Sequence, residues 1–70
     1  MIPLLFATAG EEVKVASVGG NPEVRQHLAE LGFTVGSPVT VMQKIDTGII
    51  VKVKESRIAV DRGMASKIMV

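Results

Sequence analysis

Glu23, His27 and Glu30 lie at intervals of four and three residues, so on a helix one imidazole and two carboxylates share a face. Mixed nitrogen and oxygen donors of that kind suit a divalent cation. No second histidine or cysteine strengthens the set, and a solvated polar face has the same spacing, so the reading extends only to weak metal binding, with no resident cofactor. Three arginines, Arg25, Arg57 and Arg62, could meet an anionic group on a partner, although each also reads as a plain surface residue. Ser17, Ser37, Ser56 and Ser66 have no activating base near them in sequence, and there is no cysteine, so the chain reads as a non-enzyme. The stretch SVGGNPEVR invites a phosphate-loop reading. It lacks the GxxxxGK[ST] spacing and the neutralising lysine, and a tight turn into a capped helix explains it better.

Composition narrows the setting further. Seventy residues make one small domain, 1–70, and the absence of cysteine excludes disulfide or thiolate-zinc staples. Apolar residues make up 47% of the chain, nearly all aliphatic, which is a core-forming composition. Eight basic and seven acidic residues leave a formal net charge of +1, so no strong field argues for nucleic acid or an anionic membrane. With Phe6 and Phe33 the only aromatics, neither a stacking platform for single strands nor a proline-peptide groove can be built. The apolar start MIPLLF is much shorter than the ~20 residues of a spanning helix and has no basic leader. A cytoplasmic location is therefore expected.

The elements that would position these residues follow from periodicity. MIPLLF reads as a strand, and EVKVASV as another, with Val13 and Val15 on one face and Val18 out of phase. Gly19-Gly20 breaks the pattern. Asn21 then reads as an N-cap, Pro22 as the first helical residue and Glu23 as a first-turn acid. Val24, Leu28 and Leu31 form the apolar stripe of this helix, Gly32 is placed to end it in a left-handed conformation, and Phe33 can reach back to Leu28. Gly36-Ser37-Pro38 turns the chain into a strand from Val39 to Lys44, and Asp46-Thr47-Gly48 turns it into a second from Ile49 to Lys54. Glu55-Ser56 leads into a third, RIAVD. Asp61 is placed to cap a single turn that drops Met64 and Ala65 inward. The ending KIMV reads as a last strand, able to pair between chains if left as an edge. Lys14, Lys44, Lys52 and Lys54 form a solvated face that blunts edge pairing. The sum is a mainly β protein, a small antiparallel barrel of five or six strands with one short helix plugging a mouth.

Taken together, Arg25, Leu28, Leu31-Gly32-Phe33, Gly36 and Val39, followed in order by IIVKV, SRIAVD and MASKIMV, make the chain resemble the FeoA family from about Gly10 to Val70. That family is the small cytosolic component of bacterial ferrous iron uptake and has an SH3-like barrel fold. The resemblance implies that Leu28 and Leu31 pack, Gly32 caps, Phe33 anchors, Gly36 turns the chain, and Ala65 with Ile68 closes the barrel. It also implies a partner, the cytoplasmic part of a FeoB-type membrane GTPase transporter, bound without nucleic acid and without membrane insertion. Arg25, His27, Glu30 and Arg57 are the expected contact residues. Many relatives have a longer, often proline-containing loop where this chain has QKIDTG. A related SH3-like module forms the C-terminal part of iron-dependent repressors, and a stand-alone relative of that module, or an orphan interaction scaffold, is the alternative reading.

Overall fold

The computed structural model describes residues 1–70. Strand β1 (Glu12–Lys14), β2 (Ser17–Val18), helix α1 (Pro22–Leu31), β3 (Pro38–Ile45), β4 (Gly48–Val53), β5 (Ser56–Asp61), the short helix α2 (Arg62–Ala65) and β6 (Ile68–Met69) follow in that order. All strand pairings are antiparallel: β1-β3-β4-β5 form one sheet, and β2-β6 a two-stranded one. The inward faces of both sheets and α1 enclose a continuous core that includes Leu4, Val15, Leu28, Phe33, Val39, Val41, Ile49, Val51, Val53, Val60 and Ile68. No polar or charged side chain is buried. This interior, aliphatic but for Phe33, matches the composition, and each fully buried Val, Leu or Ile contributes ~1.5–3 kcal/mol.

The helix forms where its capping residues place it. The Asn21 side chain accepts a hydrogen bond from the Val24 N–H at 2.8 Å, and Pro22 sits in the first turn, where a missing N–H costs nothing. At the other end Gly32 has φ 110°. Its N–H donates to the Ala29 carbonyl at 3.0 Å, and the Phe33 N–H donates to the Leu28 carbonyl at 2.9 Å. These two bonds form a Schellman cap. They turn the chain so that Phe33 enters the core, 1% exposed. Leu31, expected in the packed stripe, is instead 36% exposed. It is the last helical residue, and the reversal at Gly32 sends Phe33 inward in its place.

Four further expectations are corrected. The start of the chain is not a strand: Leu4–Phe6 form a 3-10 turn. The run lacks alternation, Pro3 has no N–H to donate, and the three-residue spacing of Leu4 and Ala7 buries both. EVKVASV is not one strand either, because it bends at Val15-Ala16 from one sheet to the other. Val15 bonds with Ser37 and Gly36 at this corner, while the Ala16 N–H donates to Met69. Val18 breaks the period because it belongs to the second sheet. Lys54 is a turn residue at φ 56°, so the β4–β5 turn is Lys54–Glu55 rather than Glu55–Ser56. KIMV is not an open edge: β6 pairs with β2 on one side, while Ile2 and Val70 exchange backbone bonds of 2.9 and 2.8 Å on the other.

The β3–β4 hairpin closes through the two residues Asp46 and Thr47, with a bulge at Met42 between the Val41 and Gln43 pairings. Asp61 accepts a 2.7 Å bond from the Met64 N–H and starts α2 as expected, burying Ala65 completely. Gly48, expected only as a turn residue, has a second role. A Cβ there would collide with the Val60 carbonyl oxygen and come within 2.8 Å of the Asp61 Cα.

Two glycine substitutions separate these roles. Gly32→Ala places a methyl group 3.2 Å from Val53 Cγ2, a side chain that can yield, at a positive φ, and should cost on the order of 1 kcal/mol. Gly48→Ala meets unyielding backbone and should cost about 3 kcal/mol or more. Urea unfolding of both variants tests the ranking, and a Gly48→Ala loss no larger than that of Gly32→Ala would refute it.

Candidate functional site

Every acidic and basic side chain, and the histidine, is exposed. Chemistry is therefore confined to the surface, where one concave feature stands out. Glu23, Gln26, His27 and Glu30 of α1, with Val24 and Met64, line an open cleft of about 370 Å³. Helical phase accounts for the polar wall: at 100° per residue, positions 23, 26, 27 and 30 fall within a sector about 100° wide, beside the sector of Val24 and Leu28 that faces the core. Met64 arrives from α2, whose start is set by the Asp61 cap. The cleft thus combines two carboxylates with two apolar side chains.

The fold joins some of the expected site residues and separates others. Glu23, His27 and Glu30 share the cleft. Arg25 lies about 140° around the helix from Glu30, and Arg57 lies on β5, and neither lines the cleft. Gln26 was legible from its spacing of three after Glu23 and four before Glu30. Met64 as a cleft residue was not, because only tertiary packing brings α2 to α1.

Glu23, His27 and Glu30, expected as weak metal ligands, share the cleft but do not converge on one point. No group of three His, Cys, Asp or Glu residues converges to hold an ion. Glu23 and Glu30 are seven residues apart, ~10 Å along a helix axis, whereas ligand atoms must approach one ion to roughly 2.0–2.2 Å. A shared face is not a shared point.

The four-stranded meander, closed by the β2-β6 pair with α1 packed over the core, defines an SH3-like barrel that carries its chemistry on the outside. A family model described as the FeoA domain matches residues 2–70, and the chain belongs to the FeoA family. It is 40% identical over 70 residues to the candidate Fe(2+) transport protein A of Methanocaldococcus jannaschii, covering 100% of this chain and 85% of that protein. Its fold matches the crystal structure of an iron uptake regulatory protein (FeoA) with a TM-score of 0.90 at 30% identity, over 97% of this chain and 92% of that one. It also matches the zinc-complexed FeoA of Stenotrophomonas maltophilia, described as a procaryotic SH3 domain protein, with a TM-score of 0.82 at 25% identity, over 99% and 88% of the two chains. No helix is long and apolar enough to cross a membrane.

The separation of the carboxylates makes a direct prediction. Equimolar zinc added to the isolated chain should not move the amide resonances of Glu23 and Glu30 together. Concerted shifts of Glu23, His27 and Glu30 would show that the three can be drawn onto one ion.

Proposed function

We propose that this protein is a non-enzymatic accessory of ferrous iron uptake that binds the cytoplasmic part of a FeoB-type membrane GTPase transporter through the α1–Met64 cleft. The observation that carries the reading is the cleft itself, the concave surface of a barrel whose interior holds no polar side chain. Membership of the FeoA family and the Fe(2+) transport name of the archaeal relative support the iron-uptake setting. Glu23 and Glu30 line the cleft together with Val24 and Met64, a combination suited to a basic side chain whose aliphatic stem packs on the apolar residues while its charged head meets a carboxylate. The contact set is therefore Glu23, Gln26, His27, Glu30 and Met64, with Arg25 and Arg57 outside it. Action by contact, in the cytoplasm, requires neither a cofactor nor a reaction on this chain.

The test is an NMR titration of isotope-labelled protein with the transporter's isolated cytoplasmic GTPase domain, with and without guanine nucleotide. Shifts should cluster on Glu23, Gln26, His27, Glu30 and Met64, and Glu23→Lys with Glu30→Lys should weaken binding by roughly tenfold or more, equivalent to ~1.4 kcal/mol. Shifts confined to β3, β4 and β5, or binding unaffected by the double charge reversal, would assign the contact elsewhere.

A further inference from the structure

The four-stranded sheet ends in β1 and β5, and β5 offers the longer edge. In the order β1-β3-β4-β5, strand β5 is paired on one side only, with β4. The two-residue turn Lys54–Glu55 makes Val53 and Ser56 a hydrogen-bonded pair, so bonded pairs recur at Val51↔Ile58 and Ile49↔Val60. The N–H and C=O groups of Arg57 and Ala59 consequently point away from β4, as does the N–H of Asp61, whose C=O serves α2 as its N-cap. These three residues are exposed, and Ile58 between them is only half-buried. Helix α2 turns back onto β4 and the N-terminal turn.

The charges along this edge are self-complementary. We propose that β5 pairs antiparallel with β5 of a second copy of this chain, about a two-fold axis at Ala59. In that register Arg57 faces Asp61 of the other copy, Ala59 faces Ala59, and Asp61 faces Arg57, all at outward-bonding positions. Shifting one residue toward the turn sets Glu55 against Asp61, like against like. Shifting one residue the other way leaves Arg57 opposite Gly63, beyond the strand. Only the Ala59 register satisfies both charges.

A second observation points the same way. Within one chain Arg57 sits directly opposite Lys52 on β4, and Arg57 takes part in no side-chain hydrogen bond. Two cations across a ladder repel, and a carboxylate on the next strand relieves them. Asp61 can serve in both places: Oδ1 holds the α2 cap and Oδ2 faces the partner's guanidinium. The added strand also covers the exposed part of Ile58 with Val60 of the second copy. The interface is isologous and joins two four-stranded sheets into one of eight. Its overlap is short, well below the ~1,200 Å² of stable complexes, so association depends on concentration.

Sedimentation velocity across a range of about 10 µM to about 1 mM is the test. The wild-type weight-average mass should rise toward twice that of the monomer. Arg57→Glu, which sets acid against acid, and Ala59→Pro, which removes the central N–H, should both remain monomeric, while Arg57→Lys should still associate. Circular dichroism identical to wild type verifies each fold. Should Ala59→Pro fail to fold, Arg57→Glu and wild-type amide exchange decide, since protection at Arg57, Ala59 and Asp61 must grow with concentration. A monomer throughout the range, or a dimer that Arg57→Glu leaves intact, overturns the proposal.

Discussion

Two hydrogen bonds at the end of α1, from Gly32 to Ala29 and from Phe33 to Leu28, hold the joint on which the rest of the arrangement depends. They satisfy helix carbonyls that would otherwise lose their partners at a buried end. They also reverse the chain within one residue, which seats Phe33 in the barrel and sets Gly32 against Val53 of the central strand. With the end of the helix held on β4 and its start held by Asn21, the rotation of α1 about its own axis is settled. That rotation decides which residues are buried and which form the cleft.

The core contributes no chemistry of its own. The interior is aliphatic but for Phe33, and every ionisable group lies outside it. Charge and concavity therefore both belong to the surface, and they coincide at the cleft, where Glu23 and Glu30 stand beside Val24 and Met64.

Strand edges are the other recurrent constraint in so small a β protein. The chain covers the β6 edge by bringing Ile2 and Pro3 alongside Val70 and Met69. The N-terminal segment thus serves as a lid on an edge as well as a source of core residues through Leu4 and Ala7. At β5 no segment does the same. What stands there is a short run with an arginine at one end and an aspartate at the other.

Local signals in the sequence determined both caps of α1, the Asp61 cap of α2, the β3–β4–β5 meander and its inward valines, and the mainly β class. Each depends on residues close together in the chain, where side-chain type limits φ, hydrogen bonding or the buried face directly. The FeoA resemblance was legible for the same reason, since it rests on cap, turn and strand residues in a set order. Tertiary structure alone decided that Leu31 stays exposed beside the expected anchor Phe33, that Val15-Ala16 is a corner between sheets, and that Gly48 must be glycine because β5 backbone crosses it. It also decided that Glu23 and Glu30 line one cleft together with Met64. Periodicity assigns a residue to a face, but distances between faces, and what lies over them, arise only when distant segments pack.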